Sequence, residues 1–473
     1  MDGWRVAEHF EAMNGQLHVD GVNVVEGTAR FGTPLFIFSE KRLRRNIAEI
    51  QQAFQLTRQP SRIFYTSKAN SNLAILELVR STGVDVEVNS GGELFKALEA
   101  GFSPSQIVFN GVAKSERELH EAIERGIFCI NVDSVFELER LIDIANQLQK
   151  RATIALRMVP GITSGSHSGL ETGTHTSKFG MEDQALLDCY RKAVEHSDAV
   201  NLIGLHMHIG SQTTELYRYQ SAFKRLIMIA AWCFDETAHA ISHLNIGGGL
   251  PVPYVQHQVE GLPSDSFKML SANLMPSEVI PATIGLLQNE DFRVEVAAVS
   301  SRFVNILDSL EIFMEPGRRI IADSAILLTT VHNMKQRQSG DQWLMVDAGF
   351  HTLLNAFIYN WYYQLIPASK LDQPASYPYK IGGPLCDSGD EFHDSEHLHR
   401  LPDYHHLPEG MRDGDVLALL NVGAYTLDQM TQYNGHPRTG AVLIRENGEL
   451  VEIRARESYQ DLIRQDKRLG VDD

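Results

Sequence analysis

The sequence is poor in thiols, in long apolar runs and in positive charge. Among 473 residues there are four cysteines, Cys129, Cys189, Cys233 and Cys386, widely scattered and with no CxxC pair. So few thiols cannot frame so long a chain with disulfides, and a reducing, cytoplasmic setting is expected. No apolar run approaches the roughly 20 residues that a membrane span needs. Met1-Asp2-Gly3-Trp4 lacks the basic-then-apolar order of a secretory signal. Lys and Arg total 42 against 60 Asp and Glu, a formal charge of −18. Nucleic-acid binding needs a cationic footprint, so neither nucleic acid nor membrane is an expected partner. With 43% apolar residues the chain has enough material for a core, which excludes wholesale disorder.

What is present is one grammar repeated through the first half: a short apolar strand, a polar loop, an amphipathic helix. Candidate strands are Phe64–Ser67, Val84–Val88, Ile107–Gly111, Phe128–Val132, Thr153–Val159, Leu202–Gly210, His243–Gly249 and Glu311–Gly317. The early ones start about 20 to 25 residues apart, the spacing of βα units. Leu43, Ile47, Ile50 and Phe54 mark an earlier helix. Ser115-Glu116-Arg117-Glu118 and Ser134-Val135-Phe136-Glu137 have the form of capping boxes. The alternation predicts an α/β chain with a TIM-type (β/α)8 barrel; a doubly wound open sheet is the alternative. After about Ala325 the apolar stretches become short and turn-separated, and Asn447-Gly448 between Ala441–Arg445 and Glu449–Arg454 signals a hairpin. This predicts a mainly antiparallel β-sandwich or barrel over 326–473, joined by strands from 1–35, with the barrel occupying 36–325. Between Tyr254 and Glu311 extra helices are expected.

The expected C-terminal strand ends, where barrel enzymes place their chemistry, are unusually polar. Lys68 leaves the first strand; a partly desolvated lysine there would have a lowered pKa suited to Schiff-base chemistry, and a surface lysine is the plain alternative. Glu87 and Asn89 end the second strand, Asn110 the third, Arg157 the fifth, and His208-Ile209-Gly210-Ser211 the sixth. Gly247-Gly248-Gly249 can bring backbone N–H groups to a phosphate, or can simply turn. Glu315 precedes Pro316, Gly317 and Arg318; a carboxylate there can keep a cofactor nitrogen protonated, and Arg318 can meet a phosphate. His206 and His208 allow a zinc pair, a ring stacked on a cofactor or core histidines, but no third ligand has zinc spacing and no metal is expected. Cys386 lies beside Asp387 and reads as a proton donor, a nucleophile or a small buried residue. The run His393, His397, His399, His405 and His406 reads as a solvated acid-flanked loop before it reads as a metal site.

Together these residues resemble the barrel-type (fold type III, alanine-racemase-like) pyridoxal-phosphate-dependent amino-acid decarboxylases, with diaminopimelate decarboxylases nearer and ornithine decarboxylases more distant. The similarity is carried by Tyr65-Thr66-Ser67-Lys68-Ala69-Asn70, Asn89-Ser90-Gly91-Gly92-Glu93-Leu94, Ser177-Lys178-Phe179-Gly180, the His206–Ser211 and triple-glycine segments, Glu315–Arg318, Gly383-Pro384-Leu385-Cys386 and Gly423-Ala424-Tyr425. The resemblance implies that Lys68 carries the cofactor, that His208 stacks on its ring with Arg157 supporting, and that Glu315 pairs with its nitrogen. It implies that Gly247, Gly248, Gly249, Ser211, Gly317, Arg318 and Tyr425 hold its phosphate end, with Glu87 at the family's usual aspartate position. Cys386, supplied by the partner subunit of a homodimer with shared active sites, would return a proton. Asn355, Tyr359, Asp387 and Tyr425 would face the amino-acid substrate.

Two departures bear on that substrate. After Val346-Asp347-Ala348-Gly349 the family has an arginine that grips a substrate carboxylate, and this chain has Asn355. The family's glutamate after the cysteine is Asp387. These changes, with Trp361-Tyr362-Tyr363 nearby, point to removal of the α-carboxylate from an altered amino acid, such as a conjugated one, in secondary metabolism. True diaminopimelate decarboxylation in lysine biosynthesis and a catalytically silent regulatory protein are the alternatives. A racemase would set an arginine against the ring nitrogen, which Glu315 argues against.

Overall fold

Short apolar strands that end in polar residues build the two compact units of the computed structural model, which describes residues 8–394 and 400–469. The start of the 1–35 segment and His397 and His399 of the histidine run lie outside the described residues. One unit comprises Arg44–Val252 and Ala272–Ile320; the other takes the residues up to Leu43, Pro253–Ser271 and those from Ile321 onward.

In chain order the strands are β1 (Phe10–Met13), β2 (Gln16–Val19), β3 (Val22–Asn23), β4 (Leu35–Ser39), β5 (Ser61–Thr66), β6 (Asp85–Val88), β7 (Ile107–Phe109), β8 (Cys129–Val132), β9 (Ala152–Arg157), β10 (Val200–His206), β11 (His243–Asn245) and β12 (Glu311–Met314). Strands β5 to β12 close into a parallel barrel in chain order, β12 pairing β5, which selects the barrel over the open sheet. All eight expected strands are present, but several stop earlier than the apolar pattern implied. The residues that follow them turn out of the sheet instead of extending it. Phe64, Val108, Cys129, Ala155 and Phe313 fill part of the interior. His243 stacks on Phe313 with ring centroids 4.1 Å apart. Residue 204 is glycine because a Cβ there would collide with the His243 ring.

The helices form where the caps allow. Ser115 and Glu118 make the reciprocal capping box expected of them. Ser134 accepts from Glu137 N–H at 3.2 Å, but the Glu137 carboxylate turns to Lys114 instead of closing the box. Helices Ser264–Leu270, Pro276–Ile284 and Glu290–Val299 occupy the long stretch before β12. Among the described residues no helix is long and apolar enough to cross a membrane.

In the β unit, β1–β3 form a small antiparallel sheet, and Val24–Phe31 forms a helix that the strand-like reading of this segment missed. Its cap is Asn23, whose side chain accepts from Val25 N–H at 3.0 Å. Strand β4 straddles the 35/36 limit drawn from sequence. It pairs with β13 (Ala325–Gln336) and lies parallel to β19 (Gly440–Ile444). The other strands are β14 (Gln342–Val346), β15 (Leu365–Pro367), β16 (Ala375–Gly382), β17 (His405–Pro408), β18 (Val416–Leu420) and β20 (Leu450–Arg454). The pairing is mainly antiparallel, with β14 on β16 as a second parallel contact. Strand β13 pairs β4 and β18 along its buried half, then β14 along its exposed half, with a register shift between Val331 and Asn333. The Asn447-Gly448 hairpin joins β19 to β20 with Gly448 at φ +84°.

Candidate active site

Strand β5 ends at Thr66, and the short helical turn Ser67–Ala69 carries Lys68. Ser67 and Ala69 are buried while Lys68 is exposed, so the turn lifts the amine out of the core. This corrects the expectation of a partly desolvated lysine: the strand stops too early to bury it. Glu93, which the sequence reading had only inside a motif, organises the surroundings. Its Oε2 accepts from Ser67 Oγ at 2.6 Å and from Asn89 N–H at 2.8 Å. Lys68 Nζ donates to Asn89 Oδ1 at 3.4 Å. The Thr66 hydroxyl donates to Glu315 O at 2.9 Å, and a Cβ on Gly317 would stand 3.0 Å from Thr66 Cβ and 3.1 Å from Ala69 Cβ. The absence of that Cβ lets the loop after β12 sit against the lysine turn.

Glu315, just past β12 and 6% exposed, accepts four side-chain hydrogen bonds. Asn110 donates at 2.9 Å, Asn131 at 3.3 Å, Asn245 at 2.7 Å and His206 Nε2 at 3.1 Å. Each donor comes from a different strand end. Burial alone would raise the Glu315 pKa; the His206 ring and the bonds from His206 and Asn245 outweigh it and hold the group at about 2. Asn110 also donates to Glu87 Oε1 at 2.7 Å. Burial pushes the Glu87 carboxyl up to about 7 against the opposing pull of Lys68, and its Oε2 is buried without a partner. Asn110 and His206 were visible in the sequence as polar residues at or near strand ends; Asn131 and Asn245, and the convergence of all four on one carboxylate, were not.

His206 and His208 take separate partners. The His208 Nδ1 accepts Gly248 N–H at 3.1 Å, which leaves the ring proton on Nε2. Burial, together with Lys68 and Arg157, holds this imidazole well below its ordinary pKa, so it presents a neutral flat face. Gly247 and Gly249 have φ of +65° and +101°. A Cβ on Gly247 would lie 2.6 Å from His208 Nδ1, and one on Gly248 would collide with Glu315 O. The run is less open to a phosphate than three free amides would be. Gly247 N–H donates to Asn245 Oδ1 at 2.9 Å and Gly248 N–H to His208, leaving Gly249 N–H without an acceptor among the described residues. Arg318 is buried and its Nε donates to Ser211 Oγ at 2.9 Å. Arg157, the last residue of β9, has its guanidinium 4.6 Å from the Phe179 ring.

These residues fit a pyridoxal phosphate group: an accessible amine, an anion fixed as a carboxylate, a neutral aromatic face, and a hydroxyl, guanidinium and amide for a phosphate. All of them lie in the barrel unit.

The remaining expected residues lie in the β unit. Cys386 and Asp387 are exposed on one loop. The buried Asp390 shapes that loop by accepting from Phe350 N–H at 2.7 Å and Leu385 N–H at 2.9 Å, and a Cβ on either Gly349 or Gly383 would collide with it. Burial raises the Asp390 pKa to about 6. Asp387 accepts from Gly389 N–H at 2.9 Å. Asn355 is 3% exposed and donates to the Tyr363 hydroxyl at 2.7 Å, while its Oδ1 is buried without a partner. Tyr254 meets the Trp361 and Tyr363 rings edge-on at 5.0 and 5.7 Å. Tyr359 and Tyr425 are half-buried, Tyr425 at φ +58°. His393 and His405 are buried and bonded, to Glu391 at 2.9 Å and to Phe392 O at 2.7 Å, so these two are not the solvated loop expected.

The barrel and its site define a pyridoxal-phosphate-dependent amino-acid decarboxylase. A family model described as the pyridoxal binding domain of pyridoxal-dependent decarboxylases matches residues 40–322, and the chain belongs to that family. The chain is similar, at 33% identity over 451 residues and 95% of both chains, to a diaminopimelate decarboxylase of Methanothermobacter thermautotrophicus. It is 31% identical over 455 residues, 96% of both chains, to one from Aquifex aeolicus. The crystal structure of the diaminopimelate decarboxylase from M. jannaschii superposes with a TM-score of 0.83 at 29% identity, covering 98% of each chain. That enzyme is also known in co-complex with L-lysine, with the same TM-score and coverage. The protein is therefore a carboxy-lyase, and pyridoxal 5'-phosphate is its cofactor.

Proposed function

We propose that the chain removes the α-carboxylate from an amino acid whose distal end carries no free carboxylate, a conjugated or carrier-bound amino acid being the class that fits. The observation that carries this reading is Asn355. It stands where the resembling family has a carboxylate-gripping arginine, it is buried, and its amide donates to Tyr363. A neutral amide cannot make the paired charged bonds of a guanidinium, and leaving a carboxylate unpaired costs about 1–3 kcal/mol or more. The second reading is meso-diaminopimelate itself, favoured by relatives named for that activity across nearly the whole chain.

The bound cofactor supplies an electron sink for the pair left when carbon dioxide departs. Lys68 would hold the cofactor at its amine, and the same amine is placed to move a proton. Glu315 keeps a full negative charge at the C-terminal strand ends, where it would hold a proton on the cofactor's ring nitrogen. The neutral His208 ring would pack against the cofactor, and Arg157 would support it. Ser211, Arg318 and Gly249 N–H would hold its phosphate. Cys386, brought by a second copy of the chain, returns a proton to the α-carbon, and Asp387, Tyr359 and Asn355 orient the substrate. The test is carbon dioxide release from cofactor-loaded protein given meso-diaminopimelate, lysine, ornithine, and γ-glutamyl and carrier-linked amino acids. Turnover of a conjugate with far lower kcat/KM for diaminopimelate supports the first reading. Preference for diaminopimelate overturns it in favour of the second. No release from any, with cofactor bound, points to the silent protein.

A further inference from the structure

Asp133, which the sequence reading passed over, directly follows β8 and is 6% exposed. Its Oδ1 lies 3.7 Å from Arg157 Nε and also accepts Gly180 N–H at 3.1 Å. The segment it holds is fastened to the end of β9: Met181 N–H donates to Arg157 O at 2.9 Å and Val159 N–H to Met181 O at 3.0 Å. Phe179 thereby lies under the guanidinium. Gly180 sits at φ +75°, and a Cβ there would be 3.0 Å from Met158 O, so the close approach needs glycine. The backbone carrying Asp133 is anchored from behind. The buried Lys114 Nζ donates to Asn131 O at 2.9 Å and Gly111 O at 2.8 Å and pairs with the buried Glu137 at 2.6 Å. Asn131 in turn donates to Glu315, so one short segment holds two sides of the site.

Burial disfavours the charged form of Arg157, and Asp133 is the foremost carboxylate opposing that. Glu315 and Glu87 also favour its charged form after Asp133 does. We propose that Asp133 is the positioning residue that orients Arg157 beside the cofactor, while fastening the Phe179–Met181 segment to the same point. This rests on the reading of Arg157 as a cofactor-supporting group.

The experiment titrates apoprotein with pyridoxal 5'-phosphate, followed by quenching of intrinsic tryptophan fluorescence, alongside the apoprotein's thermal midpoint. The variants are Asp133→Asn, Asp133→Glu, Arg157→Gln and the Asp133→Asn/Arg157→Gln double. Expected are about tenfold weaker cofactor binding in Asp133→Asn, within the 10–100-fold seen for outer partners of bound groups, recovery in Asp133→Glu, and a double variant no weaker than Arg157→Gln alone. Asp133→Ser, which keeps an oxygen for Gly180 N–H but removes the charge, is read in the same way if Asp133→Asn does not fold. Wild-type binding in Asp133→Asn or Asp133→Ser, or additive losses in the double variant, overturns the proposal. Wild-type binding in Arg157→Gln instead overturns the reading of Arg157 on which it rests.

Discussion

At Glu315 the decisive quantity is a charge, and four donors from different strand ends decide it. Replacing it with Gln keeps the shape and removes the charge, so kcat should fall about 10²–10³-fold, the usual loss for one preorganised electrostatic group. Steady-state carbon dioxide release checks this. Lys68→Ala should abolish turnover; full activity under saturating substrate would remove Lys68 from the mechanism. Glu87 supplies the pH-dependent case. Its pKa is raised from 4.5 to about 7, so across that interval the folded chain keeps a proton that the unfolded chain has lost. Stability then falls as pH rises through the interval. Glu315, lowered to about 2, has the opposite sign: its contribution is present above its unfolded pKa and is lost as pH falls. Glu87→Gln should accordingly raise the thermal midpoint relative to wild type on the alkaline side of the interval and leave it little changed on the acid side. An unchanged pH profile would mean that Glu87 is not a buried neutral acid. The titrating groups could be named from sequence, but their shifts could not, because desolvation and partners belong to the folded state.

At the scale of elements, loops after strands set the site. Gly248→Ala places a Cβ against Glu315 O, which is backbone and cannot swing aside. Cofactor retention after desalting should be lost while far-UV circular dichroism stays barrel-like; retention at the wild-type level would show that the loop has slack. Ser115→Ala tests a purely local feature. Removing the capping oxygen should cost about 1 kcal/mol in denaturant unfolding and leave kcat unchanged. Helix starts such as Ser115 were legible because a cap needs only neighbours in sequence. Ser134 shows the limit: its partner Glu137 is drawn away by Lys114, a residue from another loop. The helix Val24–Phe31 escaped notice because its neighbours β1–β3 alternate like strands and Gly27 weakens the helical signal.

At the scale of the whole molecule, the proposed shared sites make a direct prediction. Lys68→Ala and Cys386→Ala proteins, each of low activity, should regain part of the wild-type rate when their subunits are exchanged, since a mixed pair would contain one site with both groups. No gain after verified exchange would mean that the lysine and cysteine serve one site within one chain. The barrel was readable because strand–loop–helix units repeat with two distinct periods, and hydrophobic burial acts on period regardless of distant context. The β unit was readable only in class. That β13 divides its length among β4, β18 and β14, and that β4 lies parallel to β19, depends on pairings across long sequence separations, which no local pattern encodes. The sequence by itself determined the residue types at the strand ends, the caps, the hairpin and hence the family. Tertiary structure alone decided that Asn110, Asn131, Asn245 and His206 meet at Glu315, that two of three glycine amides are already engaged, and that Asn355 is buried against Tyr363. Charge, burial and hydrogen-bond partnership are properties of neighbours in space, and only the folded chain supplies those neighbours.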